Sequence, residues 1–315
     1  MTKRYGVCYK GSKNQIAEWI YSHFPKADNF YDLFAGGCAI TQIALMKSEY
    51  KRYFCNDLDA DGIHLFLDAI HGRYENENRW ISREDFFNLK DKEPYVKYAW
   101  SFGNNGRDYL YSKEIEPYKK AWHYAIYFHD YSIAKDLGLD LSAIEPIQNI
   151  YDRYIATKRI TEKTYNENIT RCVHLERQQQ LEALNRLQSL QSLQSLQSSN
   201  LSYDKVKLHK DSVVYCDIPY VNTNAYGKKN KSSFDYERFY SWCESQTELV
   251  IVSEYTMPDG FACVDEIKKR SLICACGDKC VNVTEKIFVP KHQLELYESM
   301  MKRPRQGELD FGEVA

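Results

Sequence analysis

Two side chains at the end of one apolar run could bind a flat polar group. The segment Val214-Tyr-Cys-Asp-Ile-Pro-Tyr220 carries an acid, Asp217, and an aromatic ring three positions later, Tyr220. A carboxylate accepts hydrogen bonds from an amino group, and an aromatic ring stacks on the face of a flat molecule. An ordinary strand that runs into a proline turn has the same pattern, so this segment alone leaves both interpretations open.

A glycine turn and a second acid indicate a cofactor site. Asp32-Leu-Phe-Ala-Gly-Gly37 places two glycines between a predicted strand and a predicted helix, where a ligand can approach the backbone closely. Asp57 ends the next predicted strand, the position at which an acid binds ribose hydroxyls in nucleotide sites. Gly-Gly turns and solvated acids at strand ends are both common, so neither feature is specific alone. Together they predict an adenosine-type cofactor.

The apolar patterning predicts an α/β sheet that would position these side chains. Strands are predicted at 29–34, 51–55, 212–216, 248–253 and 285–289. The carboxyl ends of such strands face the ligand crevice of an α/β sheet, so we expect the acids there. From about residue 70 to residue 200 the patterning is helical and rich in Tyr, Asn and charge, which indicates an insertion between two halves of one sheet.

Length and composition set broader limits. The 315 residues, 43% of them apolar, allow one large domain with an insertion or two domains. The net charge of −2 means that a nucleic-acid partner would need a local basic surface. A polar N-terminus and no long apolar run predict a soluble intracellular protein whose ten cysteines are reduced. The cluster Cys274-Ala-Cys276-Gly-Asp-Lys-Cys280 lacks the paired spacing of common zinc sites, and a hairpin turning at Gly277-Asp278 fits it better.

Leucine recurs at every third position from Leu181 to Leu196, within near-perfect Gln-Ser-Leu repeats. An α-helix turns about 100° per residue, so this spacing spreads the leucines around the helix instead of forming one stripe. Long 3₁₀ helices, which would align them, are uncommon. We interpret the repeat as a helical linker back to the core, and whether it packs or only spaces stays open.

Four motifs in a fixed order carry a resemblance to a known family. Tyr9-Lys-Gly-Ser-Lys13, Asp32-Leu-Phe-Ala-Gly-Gly37, Asn56-Asp57 and Asp217-Ile-Pro-Tyr220 together resemble the Dam-like DNA adenine-N6 methyltransferases, including many phage-borne members. Leu201-Ser-Tyr-Asp204 and Ser253-Glu-Tyr-Thr-Met-Pro258 add to the match, which spans about residues 5 to 290. Each motif alone is weak, whereas the ordered set is specific.

The resemblance implies a Rossmann-like methyltransferase sheet, S-adenosylmethionine as cofactor and a flipped adenine as substrate. Lys13 is expected to reach the cofactor's carboxylate, Asp57 its ribose and Asp204 its adenine end. Asp217 is expected to accept hydrogen bonds from the target amino group, and Tyr220 to stack on the target base. The implied cofactor-binding residues are Tyr9, Lys13, Asp32, Phe34, Gly36, Gly37, Asp57, Asp204 and Asp217, and the implied catalytic residues are Asp217, Ile218, Pro219 and Tyr220.

The chain departs from the family's Asp-Pro-Pro-Tyr tetrapeptide at Ile218. Ile218 still offers its backbone carbonyl, and the proline that follows keeps it extended. We therefore expect an active adenine-N6 methyltransferase that needs no metal. Two alternatives stay open: a relative that binds DNA but has lost turnover, and the same chemistry on RNA or another amine.

The insertion holds the candidate DNA-reading residues. Trp100-Ser-Phe-Gly-Asn-Asn-Gly-Arg-Asp-Tyr-Leu-Tyr111 resembles the family's target-recognition region, and Asn and Arg suit the edges of adenine and guanine in the major groove. A surface loop without this role is the alternative. The candidates for DNA contacts are Asn104, Asn105, Arg107, Tyr109, Lys119, Lys120, Lys228 and Lys229.

The predicted organisation follows from these assignments. Residues 1–70 and 200–296 should form the methyltransferase core, 71–199 a helical DNA-recognition insertion and 297–315 a flexible tail. We expect double-stranded DNA as partner, no membrane, a monomer or weak dimer, and a cytoplasmic location in a bacterial or phage-infected cell. A cognate restriction enzyme and a solitary role both stay open.

Overall fold

A computed structural model describes the protein over residues 4–164, 172–220, 234–270 and 282–303. The chain divides into two compact units. The first unit comprises Met1–Gly6, Ser12–Ile63 and Leu187–Ala315, and the second comprises Val7–Gly11 and His64–Arg186. Within the described ranges, no helix is long and apolar enough to cross a membrane.

A seven-stranded sheet forms the centre of the first unit, in the order β3-β2-β1-β4-β5-β7-β6. The strands from β3 to β5 are parallel, and β7 pairs antiparallel with both β5 and β6. This α/β sheet confirms the predicted Rossmann-like fold. The strands are β1 (Asn29–Asp32), β2 (Arg52–Asn56), β3 (Leu196–Ser199), β4 (Ser212–Cys216), β5 (Leu249–Glu254), β6 (Phe261–Arg270) and β7 (Asn282–Pro290).

Buried strands and a set of helices build the two cores. Every residue of β1, β4 and β5 is buried, as expected for central strands covered on both faces. In the second unit, a core around Trp122 and Leu175 packs helices together. The helices are α1 (Ala17–Ser22), α2 (Ala39–Lys47), α3 (Asp61–Ile70), α4 (Arg83–Leu89), α5 (Pro94–Ala99), α6 (Glu116–Phe128), α7 (Ser132–Asp136), α8 (Ile150–Thr164), α9 (Val173–Glu182), α10 (Tyr236–Ser245) and α11 (Leu294–Met301).

The Gln-Ser-Leu repeat differs from the expected helical linker. Two short 3₁₀ helices, Asn185–Ser189 and Gln191–Ser195, precede strand β3. Each of these helices holds a single leucine, Leu187 or Leu193, and Leu190 between them has an extended backbone. The Ser192 hydroxyl donates to the Leu45 carbonyl at 2.7 Å, so the repeat packs against α2. The first unit therefore includes residues that precede the predicted boundary at residue 200.

The C-terminal boundary also differs from the prediction. Helix α11 extends to Met301 and buries Tyr297 and Met300, whose spacing of three places them on one face. The predicted flexible tail therefore begins too early at residue 297. The predicted hairpin around Cys274–Cys280 lies outside the described residues.

Candidate active site

The carboxyl ends of neighbouring strands bring three predicted acids of the first unit to one edge of the sheet, which we call the strand edge. Asp32 ends β1, Asp57 follows β2 and Asp217 follows β4. The three strands are adjacent and parallel, with β1 between β2 and β4. The Asp57 Oδ2 accepts a hydrogen bond from the Gly36 amide at 2.8 Å, which links the second acid to the glycine turn.

The glycine turn after β1 is closely packed and leaves one carboxylate oxygen unused. A Cβ on Gly6 would lie 2.2 Å from the Gly37 carbonyl oxygen, so only glycine fits there. Asp32 Oδ2 accepts from the Thr41 amide at 3.1 Å and hydroxyl at 2.7 Å, while the buried Oδ1 has no hydrogen-bond partner among the described residues. Burial, opposed in part by Thr41, raises the pKa of Asp32 to about 7.

Asp57 is held by backbone donors beside an exposed apolar side chain. Its Oδ1 accepts from the Asp59 amide at 2.8 Å, and Asn200 donates to the Asp57 carbonyl at 2.8 Å. Burial raises the pKa of Asp57, although the hydrogen bonds from Asp59 and Gly36 lower it. Leu58, next in the chain, is 77% exposed and offers an apolar surface at the strand edge.

A buried group of charged and hydroxyl side chains surrounds Asp217; we call Lys13, Asp217, Tyr220 and Glu285 the Asp217 cluster. The Lys13 ammonium donates to Asp217 Oδ1 and to the Tyr220 hydroxyl at 2.5 Å, and lies 3.6 Å from Glu285 Oε1. The Tyr220 hydroxyl donates to both Glu285 oxygens, at 2.8 and 2.9 Å. Burial lowers the pKa of Lys13, but Asp217 and Glu285 outweigh it and raise the pKa overall, so Lys13 stays charged.

The tetrapeptide backbone is anchored on the apolar core. Ile218 is buried in a cluster that includes Val252 and Phe239. The Tyr236 hydroxyl donates to the Pro219 carbonyl at 2.9 Å. Ile218 therefore has a packing role at the position where the family has proline.

Residues at the end of β5 and directly after it complete the surroundings of Tyr220. The Tyr255 ring stacks on Tyr220 with a centroid distance of 4.3 Å and an angle of 4°. Ser253 Oγ lies 3.5 Å from Asp217 Oδ1 and 2.7 Å from the Tyr215 hydroxyl. Burial raises the pKa of Glu254 to about 8, so this neighbour is largely protonated at neutral pH.

Three cofactor candidates have other surroundings. Asp204 bonds to the Ser202 hydroxyl and pairs with Arg238, whereas Phe34 packs on Tyr203 at 5.5 Å. Tyr9 belongs to the second unit, where its ring packs on Tyr98 at 5.0 Å. The cofactor roles of all three stay predictions.

In the second unit, residues 101–109 form a tight turn, the Asn104 turn. Gly103 and Asn104 both have positive φ, at 57° and 55°. Asn105 Oδ1 accepts from the amides of Arg107 at 2.8 Å and Asp108 at 3.0 Å, which is the local bonding typical of an Asx turn. The Arg107 side chain is 56% exposed and lies 3.4 Å from Asp108.

Two predicted DNA contacts do not fit their surroundings. Lys119 is 2% exposed, with its ammonium 5.5 Å from the Tyr111 ring centroid, because its position in α6 faces the core. Tyr109 is buried and donates to the Ile81 carbonyl at 2.7 Å. Lys120, one position on, is partly exposed over Tyr124. Lys228 and Lys229 lie outside the described residues.

Sequence reasoning gave no role to Glu285. Its signal was an acid at the first position of a predicted apolar strand, which is notable because buried acids need partners. Lys13 is 272 positions away along the chain, so no local pattern could join them.

Comparison with known protein families identifies the family of this chain. The profile of the D12 class N6 adenine-specific DNA methyltransferases matches residues 9–243, more than half of the chain. Among curated proteins, no match was found. The matched range contains the glycine turn, Asp57 and the tetrapeptide from Asp217 to Tyr220. The chain belongs to the D12 class N6 adenine-specific DNA methyltransferases, which transfer a methyl group from S-adenosylmethionine to adenine in DNA.

Proposed function

We propose that the strand edge of the first unit is the methyl-transfer site, with Asp217 as the acceptor for the target amino group. The observation that supports this most directly is the Asp217 cluster: a catalytic tetrapeptide with an intact acid and ring, held by partners from distant parts of the chain. Ile218 keeps the backbone packed on the core, so we propose that its substitution for proline leaves the enzyme active.

The residues around the glycine turn suit S-adenosylmethionine, which supplies a methyl group on a positively charged sulfur. Asp32 Oδ1 is a buried acceptor without a partner in the described part of the chain, which fits the ammonium of the cofactor's methionine part. We propose that Asp57 binds the ribose and that exposed Leu58 covers the adenine face. Gly36 and Gly37 keep the backbone open to the ligand.

The chain's task at the target is to aim a weak nucleophile. The adenine N6 lone pair is delocalised into the ring, so the amino group is planar and poorly nucleophilic. When Asp217 and the Ile218 carbonyl accept its two N–H bonds, the nitrogen can become pyramidal and direct its lone pair. The Tyr220 ring provides the stacking face for the target base. The protein therefore accelerates transfer mainly by positioning the reactants and by electrostatic stabilisation.

We further propose that the Asn104 turn reads bases in double-stranded DNA and that Lys120 contacts phosphate. The exposure of the Arg107 side chain supports this, because a bidentate contact to guanine needs a guanidinium that can reach the groove, where it would exchange its 3.4 Å contact with Asp108 for the base. Such an enzyme would act in the cytoplasm of a bacterial or phage-infected cell.

The test is transfer of labelled methyl groups to unmethylated duplex DNA, with an RNA duplex of the same sequence in competition. Nucleoside analysis should show N6-methyladenine in the DNA. Label in the RNA instead would change the substrate, and no label despite cofactor binding would indicate a relative without turnover.

A further inference from the structure

Glu285 is buried beside the Asp217 cluster's catalytic residues without an assigned role. It lies on β7, whose antiparallel register with β5 pairs Lys286 with Glu254. Its side chain is 0% exposed, and its hydrogen-bond and ion-pair partners include Tyr220 and Lys13. A carboxylate at this depth needs charged or donating partners, and both belong to the proposed transfer site.

Asp217 is engaged where the target amino group must bind. The Lys13 ammonium donates to Asp217 Oδ1. A charged donor binds a carboxylate more strongly than a neutral amino group does. The adenine amino group therefore competes poorly for Oδ1 of Asp217 while Lys13 stays on that oxygen.

We propose that Glu285 is a positioning residue for methyl transfer: it holds the Tyr220 hydroxyl and offers the Lys13 ammonium a second carboxylate, so that Asp217 can accept the adenine amino group. This inference rests on the proposed role of Asp217. Lys13 has three N–H donors and already contacts the Tyr220 hydroxyl at 2.5 Å. Closing the 3.6 Å separation from Glu285 Oε1 would exchange one charged partner for another without leaving the ammonium unpaired.

The net charge of the cluster gives this exchange a distinctive signature. The Lys13 ammonium contacts two carboxylates, those of Asp217 and Glu285. When all three groups are ionised, their net charge is −1. Glu285→Gln makes the cluster neutral and leaves Lys13 with Asp217 alone. Lys13→Met in the same chain removes the competing ammonium, frees Asp217 and returns the charge to −1.

The experiment compares four variants with the wild-type protein: Glu285→Gln, Lys13→Met, the double variant and Tyr220→Phe. Turnover is measured as labelled methyl transferred to unmethylated duplex DNA at saturating S-adenosylmethionine. Cofactor affinity is measured separately by calorimetry, and thermal unfolding verifies that each variant folds. Gln keeps the shape of Glu and one acceptor oxygen for the Tyr220 hydroxyl, while it removes the charge and replaces the second acceptor oxygen with an amide donor.

We expect Glu285→Gln to lower kcat by about 10²-fold, on the scale of losing one preorganised group, with cofactor affinity nearly unchanged. The double variant should regain about tenfold over Glu285→Gln, since coupled residues give non-additive effects. Tyr220→Phe should lose less than Glu285→Gln, because it leaves the Glu285 charge for Lys13. If Glu285→Gln does not fold, Glu285→Asp replaces it, because Asp keeps the charge. Its turnover should lie between those of the wild-type protein and an inactive variant, and adding Lys13→Met to it should change turnover by the same factor as in the wild-type protein.

Two results would overturn the proposal. One is wild-type kcat in Glu285→Gln. The other is a double variant no more active than Glu285→Gln, together with a loss of kcat in Tyr220→Phe as large as that in Glu285→Gln. Glu285 would then act only through the Tyr220 hydroxyl or only on the stability of the fold. Absence of N6-methyladenine with the wild-type protein would instead refute the transfer site itself, so the two failures are distinguishable.

Discussion

The strand edge of the first unit and the Asn104 turn of the second unit hold polar side chains in opposite ways. At the edge, Lys13, Asp32 and Glu285 are buried, and the partners of Lys13 come from distant positions of the chain. In the turn, Asn105 bonds to residues two and three positions away, and Arg107 is largely exposed. The strand edge is therefore held by contacts from distant parts of the chain, whereas the turn is held by local bonds that engage Asn105 and Asp108 and leave the Arg107 side chain exposed.

The largest expected effect comes from removing the charge at the edge. Asp217→Asn keeps the shape but weakens the acceptor for the amino group, so turnover should fall about 10²–10³-fold, as for other preorganised groups. Labelled methyl transfer at saturating cofactor measures this. We expect the affinity for the cofactor to stay within about threefold of the wild-type value, because the change removes an interaction with the target and not with the cofactor. Unchanged turnover would remove Asp217 from the site.

Asp57 should separate cofactor binding from catalysis. Asp57→Ala removes the proposed ribose acceptor and the hydrogen bond from Gly36, so the affinity for S-adenosylmethionine should fall by about 10- to 100-fold, the range for hydrogen bonds to a charged group. Calorimetric titration measures the affinity directly. Asp59→Ala is the matched control on the same loop. Equal affinities in Asp57→Ala and wild type would contradict the ribose role.

Acid should weaken the second unit through two buried histidines. Burial lowers the pKa of His123 to about 4 and that of His174 well below its usual value, because both rings are held neutral. The unfolded chain then binds more protons, so this stability is complete above about pH 6.5 and is lost as pH falls toward 4. His123 alone should cost about 2 kcal/mol at pH 5.

Thermal unfolding of the wild-type protein at pH 7 and pH 5 measures this loss, with His123→Gln as the comparison. The variant should be less stable at pH 7 but lose less on acidification. At the strand edge the sign is reversed, because burial raises the pKa of Asp32 to about 7 and its cost grows as pH rises. An equally steep pH dependence in His123→Gln would contradict the assignment.

The exposed turn should affect base discrimination and not turnover. Arg107→Ala should relax the preference for one base by about 1–3 kcal/mol and leave cofactor affinity and turnover on non-specific DNA nearly unchanged. Competition between duplexes that differ at one base pair measures the discrimination. Lys113→Ala, which removes an exposed cation nearby in the chain, is the control for charge alone. Equal effects of the two variants would mean that Arg107 contacts phosphate.

The positions of residues near strand ends could be predicted because strand bounds follow from local pattern. Strand β4 has the predicted bounds, Ser212–Cys216, and its apolar run leads directly to Asp217. Strand β3 was missed because Leu196–Ser199 is polar and largely exposed at the sheet edge, without the alternation that indicates a strand. Glu285 was missed because its role depends on the sheet's register.

The helical insertion shows the other limit of the sequence. Lys119 and Lys120 are consecutive, and charge alone suggested that both face solvent. The structure buries Lys119 and leaves Lys120 partly exposed, since neighbours in a helix point about 100° apart. Which of two lysines faces the core depends on the packing of α6, which composition does not reveal.

The central claim is that the Asp-Ile-Pro-Tyr tetrapeptide works as a transfer site. The most direct measurement compares the wild-type protein with Ile218→Pro, which restores the family's tetrapeptide, by labelled methyl transfer to unmethylated duplex DNA and nucleoside analysis. We expect N6-methyladenine from the wild-type protein, with Ile218→Pro no more than about tenfold faster, since Asp217, Tyr220 and the Ile218 carbonyl are all retained. N6-methyladenine formed only by Ile218→Pro would contradict the account.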